Sequence, residues 1–152
     1  MTSPCPPGSG PIRHDGPATL MVVDDDPLFR SLVREATADR YEIDCVADGH
    51  TACRRAAERP LDIIVLDQTL PDWDTVSVLR ALRGDTALAG TAVLVMASDP
   101  TAEAELLRAG ADCVLDKTAF TREQIRQAVQ TLRPSATPTR RRSVRRIVPV
   151  ME

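Results

Sequence analysis

Between residues 18 and 133, short runs of apolar residues alternate with longer stretches of helical periodicity. No other feature narrows the fold so far. The runs are Leu20 to Val23, Ile63 to Leu66, Val93 to Met96 and Cys113 to Leu115. Tyr41 to Val46, although it includes Glu42 and Asp44, reads as the second strand. Ile63-Ile64-Val65-Leu66 shows no apolar–polar alternation, the pattern of a strand covered on both faces. After the first run, Asp26-Pro27 supplies a helix cap and a first-turn proline. The helix that follows places Leu28, Leu32 and Ala36 on one face, with Phe29 and Val33 beside them. Thr51 to Glu58 reads as an alanine-rich second helix, and Val76, Leu79 and Leu82 mark a third that ends near Gly84. Ala102 to Ala109 gives a fourth, stopped by Gly110. Thr121 and Gln124 form a capping-box pair ahead of Ile125, Ala128, Val129 and Leu132. Five strands, each followed by a helix, predict an α/β protein with a doubly wound parallel sheet.

The flanks differ in composition. Residues 1–17 hold five prolines and three glycines, too little apolar surface to offset the entropy of ordering, and read as a disordered leader. Pro134 to Thr139 reads as a linker into a basic tail, so the chain divides into 1–17, 18–133 and 134–152. The tail from Arg140 to Glu152 carries five arginines and one glutamate, a charge of +4, which leaves −7 on the rest of a chain whose net charge is −3. An acidic partner, the chain's own acidic crevice or nucleic acid would suit that tail. With 43% hydrophobic and 27% charged residues, no apolar run of membrane length and no secretory start, a soluble cytoplasmic protein is expected. Cys5, Cys45, Cys53 and Cys113 show no zinc-type spacing and read as reduced structural thiols. Neither His14 nor His50 has a sequence partner that suggests catalysis or metal binding.

In a doubly wound sheet, sites form at the carboxyl ends of the strands. Here the first strand runs into Asp24, Asp25 and Asp26, the third into Asp67, and the fifth into Asp116-Lys117. Carboxylates gathered in one crevice repel one another unless a cation is present, and hard oxygen ligands with room for water suit magnesium. Taken singly, each feature has a plainer explanation: the acidic triplet as a solvated turn with a helix cap, the lone aspartate as an ordinary strand end. Lys117 is the only lysine against 18 arginines, so a compact ammonium is wanted at this position and not merely a charge. A lysine and a magnesium ion around a carboxylate would stabilise phosphoryl transfer, which depends mainly on positioning and charge neutralisation.

The segments "LMVVDDDPLFRSLV", "DIIVLDQTLPDWDT" and "GADCVLDKTAF" resemble, in order and strand placement, the three signature segments of bacterial response-regulator receiver domains. The resemblance covers roughly residues 18–133 and implies a flavodoxin-like doubly wound five-stranded parallel sheet with five helices. It further implies that Asp67 is the phosphoacceptor and that Asp25 binds Mg2+ directly, with Asp24 acting largely through water. Thr69 would offer its backbone carbonyl to the metal, and Lys117 would bridge to the phosphoryl oxygens. The implied partners are a sensor histidine kinase or phosphotransfer protein and a downstream protein target, and the implied role is signalling rather than enzymatic turnover. With no output domain after it, the chain would signal by protein contact or phosphorelay.

The chain departs from the family pattern at the switch. Thr75 stands where glycine is usual after the acceptor loop, and Ala97 stands where a serine or threonine usually ends strand four. Ser98 is next to it and substitutes only if the strand end shifts by one residue. The segment from Ala97 to Gly110 is slightly short, Val114 replaces a frequent aromatic, and Thr118 replaces the proline after the lysine. An intact acceptor site with altered switch machinery is therefore expected. Competing readings are a pseudo-receiver that binds partners without phosphorylation and a haloacid-dehalogenase-like phosphatase. "LDQTL" supplies a nucleophile for the latter but lacks its second aspartate and does not end the first strand. A third is a nucleic-acid binder acting through "RRRSVRR", although the body is acidic and poor in stacking aromatics.

Overall fold

The computed structural model describes residues 18–132. Along the chain run β1 (Ala18–Val23), α1 (Pro27–Thr37), β2 (Tyr41–Val46), α2 (Gly49–Ala56), β3 (Ile63–Asp67), α3 (Thr75–Gly84), β4 (Ala92–Ala97), α4 (Glu103–Ala109), β5 (Cys113–Asp116) and α5 (Arg122–Leu132). Two single 3-10 turns, Thr86–Leu88 and Pro100–Ala102, precede β4 and α4. All strands pair in parallel in the order β2-β1-β3-β4-β5, so the chain direction across the sheet reverses between β1 and β3. The expected doubly wound sheet of five strands with five helices is the fold observed among the described residues. The expected leader and arginine-rich tail lie outside them.

Strand residues alternate between two apolar layers. Met21, Val23, Ile64, Leu66, Val93 and Val95 pack with α2, α3 and α4, and Leu20, Val22, Ile63, Val65, Leu94 and Met96 pack with α1 and α5. Every residue of β3 and β4 is buried, which explains their unbroken apolar runs.

The apolar face of α1 is rotated from its predicted position. Phe29, Val33, Ala36 and Thr37 face the sheet, whereas Leu28 is 78% exposed. Phe29 is held by an edge-on contact with Phe120 at 5.6 Å, and that anchor fixes the helix one step away from the Leu28 stripe. Helix α2 begins two residues before Thr51. Asp48 accepts from the Thr51 N–H, and Asp72, from the loop after β3, accepts from the N–H groups of Gly49 and His50. Two carboxylates thus satisfy the amides at one helix start. Gly49 is required there because a Cβ would stand 2.9 Å from Val78 Cγ2. At the far end of α4, Gly110 has a φ of 128°, which lets the chain turn into β5.

Candidate functional site

Strand register builds the site. Val23 pairs with Leu66 and Asp67 with Met96, so the residues that follow β1 and end β3 lie side by side at the carboxyl edge, at the strand-order reversal. Asp24 is fully buried, and its Oδ1 accepts from the Asp26 N–H at 2.9 Å. The Arg30 guanidinium donates to the Asp24 carbonyl at 2.8 Å. Asp26 caps α1 by accepting from Leu28 N–H, which accounts for one member of the acidic triplet as a structural residue. Asp67 is 3% exposed, while Asp25 is exposed.

The lysine arrives from β5. Its backbone N–H continues the sheet by donating to the Ala97 carbonyl at 2.8 Å. Its Nζ donates to Asp24 Oδ2 at 2.7 Å and to Asp67 Oδ1 at 3.1 Å, and lies 4.7 Å from the centroid of the Phe29 ring. Phe29 is therefore both a core anchor and the floor under the ammonium. Burial, and then the charge of Asp24, push the Asp67 carboxyl above its ordinary range, and Lys117 only partly offsets them. For Lys117 the balance is the opposite: burial pulls it down, but the bonds to Asp24 and Asp67 prevail and hold it above its usual value.

Oxygen atoms of Asp24, Asp25 and Asp67 all lie within 4.8 Å of one another. Three carboxylates against one ammonium leave two negative charges in the crevice, and the donors are hard oxygens with one member facing water. This set fits a hard divalent cation that keeps part of its water shell.

The switch positions are equally definite. β4 ends at Ala97, which is fully buried and pairs with Asp116, so the strand end is not shifted. Ser98 lies beyond it, its hydroxyl 3.1 Å from that of Thr69. Val114 is buried in the layer formed with α2, α3 and α4. Two further links tie the acceptor loop to its surroundings: Gln68 Oε1 accepts from the Asp99 N–H at 3.0 Å, and the Thr75 hydroxyl donates to the carbonyls of Asp67 and Gln68.

His50 links two elements of the fold. Its Nδ1 meets Asp72 at 2.5 Å, and its ring stacks on Trp73 with centroids 4.4 Å apart. The contact joins α2 to the loop after β3. Cys45 and Cys53 are free thiols. The roles of Phe29, Gln68, Asp72 and Thr75 were not assigned by the sequence pattern. Only Thr75 carried a signal, a β-branched hydroxyl where a receiver-like loop usually has glycine.

Fold and site together define a doubly wound α/β domain whose strand ends present an acidic pocket and a single lysine. The chain belongs to the response regulator receiver domain family of two-component systems, whose family model matches residues 20–130. Among curated relatives it is 36% identical over 99 residues to the transcriptional regulatory protein KdpE of Mycobacterium tuberculosis, covering 64% of this chain and 43% of that protein. It is also 36% identical over 124 residues to a protein-glutamate methylesterase/protein-glutamine glutaminase of Rhodospirillum centenum, covering 76% of this chain and 30% of that protein. The chain thus spans less than half the length of these two relatives. Among solved structures, the chemotaxis response regulator CheY4 of Vibrio cholerae superposes with a TM-score of 0.71 at 25% identity, covering 77% of this chain and 99% of that one. No helix among the described residues is long and apolar enough to cross a membrane.

Proposed function

We propose that this domain accepts a phosphoryl group on Asp67 in a Mg2+-dependent site and passes the signal on by protein contact or phosphorelay. The observation that carries the reading is the Lys117 ammonium held between Asp24 and Asp67 in a pocket of three converging carboxylates. A free oxygen of Asp67 forms the new O–P bond while the donor's P–N or P–O bond breaks, its electron pair leaving with the donor. Lys117, already at one Asp67 oxygen, places a positive charge where the transferred oxygens gather. Asp24 and its bond to the Asp26 N–H keep that ammonium in place. Asp25, Asp67, the Thr69 backbone carbonyl and, through water, Asp24 would hold Mg2+, which supplies charge neutralisation of the phosphoryl group.

The donor in this reading is a sensor histidine kinase or phosphotransfer protein, the acceptor of the signal is a downstream protein, and the compartment is the cytoplasm. Turnover of a phosphate ester forms no part of it, because the acceptor ends β3 and the position two residues on is Thr69, not a carboxylic acid. One observation favours a second reading, a pseudo-receiver: Ala97 offers no hydroxyl at the end of β4. Intact-mass analysis after incubation with a small phosphodonor separates the two. Phosphoryl transfer predicts one added phosphoryl group with Mg2+ and none with a chelator, whereas no addition under either condition supports the pseudo-receiver.

A further inference from the structure

Thr75 begins α3 and is 3% exposed, so its hydroxyl needs a partner inside the protein. It finds the carbonyls of Asp67, at 3.1 Å, and of Gln68. Gln68 is held at its other polar groups as well: its N–H donates to the Met96 carbonyl at 3.0 Å, and its side-chain oxygen accepts from Asp99 N–H. The Gln68 carbonyl and the Thr69 N–H belong to one planar peptide unit and point in opposite directions. The Thr69 N–H lies on the side of the Asp67 carboxylate and favours its charged form. A donor on the carbonyl end polarises the same peptide and strengthens its N–H as a donor at the other end.

We infer that Thr75 is a positioning residue for the acceptor, acting through the Gln68–Thr69 peptide to aim the Thr69 N–H at the Asp67 carboxylate. The link depends on the hydroxyl and not on the bulk of the side chain. A glycine at residue 75 would leave that peptide without its anchor at the carbonyl end. The inference deepens the phosphoacceptor reading and rests on it for its functional consequence only.

The test compares Thr75→Val, which keeps the shape and loses the hydroxyl, with Thr75→Ser, which keeps the hydroxyl, in the full chain. Amide NMR spectra report the Thr69 N–H directly, and mass spectrometry reports the rate of phosphorylation by a small phosphodonor. Expected for Thr75→Val are an upfield shift of the Thr69 amide proton and phosphorylation slowed about tenfold, the scale of one hydrogen bond to a charged group. Thr75→Ser retains the wild-type position of that proton and a rate within about twofold. If Thr75→Val fails to fold, Thr75→Gly is read by the same two measurements and is expected to behave as the valine variant should. An unmoved Thr69 proton in the valine or glycine variant, or equal slowing in the serine and valine variants, overturns the inference. A wild-type chain that is never phosphorylated brings down the acceptor reading instead, and the position of the Thr69 proton then still decides the role of Thr75.

Discussion

Neutralising Asp67 should make the metal-free domain more stable, although Asp67→Asn weakens an ion pair. At an effective dielectric constant of about 20, the Lys117–Asp67 pair at 3.1 Å attracts by about 5 kcal/mol. Asp24, whose nearest ligand oxygen is within 4.8 Å, repels by at least about 3.5 kcal/mol. The remaining attraction, about 2 kcal/mol, is smaller than the several kcal/mol needed to strip a carboxylate of water. The charge on Asp67 therefore costs the fold roughly 1–3 kcal/mol, in keeping with a carboxyl held above its ordinary range by burial first and Asp24 second. Because the folded pKa lies above the unfolded one, that cost applies at neutral pH and disappears as pH falls through the folded pKa. Thermal or urea unfolding in EDTA at pH about 7 should show Asp67→Asn more stable by that amount, several degrees in Tm for a domain of this size. The gap should narrow in acid and on adding Mg2+, which in the proposed reading binds the wild type better. An asparagine variant no more stable than wild type in EDTA, or a gap that widens as pH falls, refutes the reasoning.

Lys117→Met leaves the buried Asp24 and Asp67 facing each other unpaired and should cost about 3–5 kcal/mol in urea unfolding; a loss below about 1 kcal/mol would mean that water reaches the pocket freely. Ala97→Thr restores a hydroxyl at the end of β4 and should enlarge the amide-shift response of α4 and β5 to beryllofluoride, at a packing cost of about 1–3 kcal/mol at this fully buried site; equal responses would show that Ser98 or another group already serves that role. Burial is the largest single influence on the Asp72 carboxyl and pushes it up, but the amides of Gly49 and His50 and the His50 ring together outweigh it and lower the group to about 2, so its contribution is complete above the unfolded value, near 4, and is lost as pH falls toward 2. Asp72→Asn should therefore unfold earlier than wild type at neutral pH and alike near pH 2, with fluorescence of the single Trp73 following the change; a difference that persists unchanged at pH 2 contradicts that assignment.

What the sequence disclosed follows from where its signals are local. The run at Ile63 to Leu66 is legible because a strand buried on both faces needs unbroken apolar character, and the Thr121–Gln124 box because a cap is decided within four residues. The placement of Asp24, Asp67 and Lys117 together is legible because a doubly wound sheet brings strand ends to one edge whatever the loops do. Leu28 misled because helical spacing alone does not say which of two adjacent stripes faces the sheet, and that choice was made by Phe29 against Phe120, which is far away in sequence. The start of α2 was missed for a similar reason: the carboxylate that supports it, Asp72, comes from a loop 23 residues on. Likewise, the hydroxyl of Thr75 becomes meaningful only once the chain between β3 and α3 has folded back onto the carbonyls of Asp67 and Gln68.

The central claim is that the phosphoryl group resides on Asp67. Phosphorylating the full chain in Mg2+, reducing the acyl phosphate with borohydride and sequencing the peptides by mass spectrometry tests it directly. Residue 67 should appear as homoserine, with Asp24, Asp25, Asp26 and Asp116 unmodified and no conversion in Asp67→Asn. Conversion at any of those other aspartates, or undiminished phosphorylation of the asparagine variant, would contradict the account.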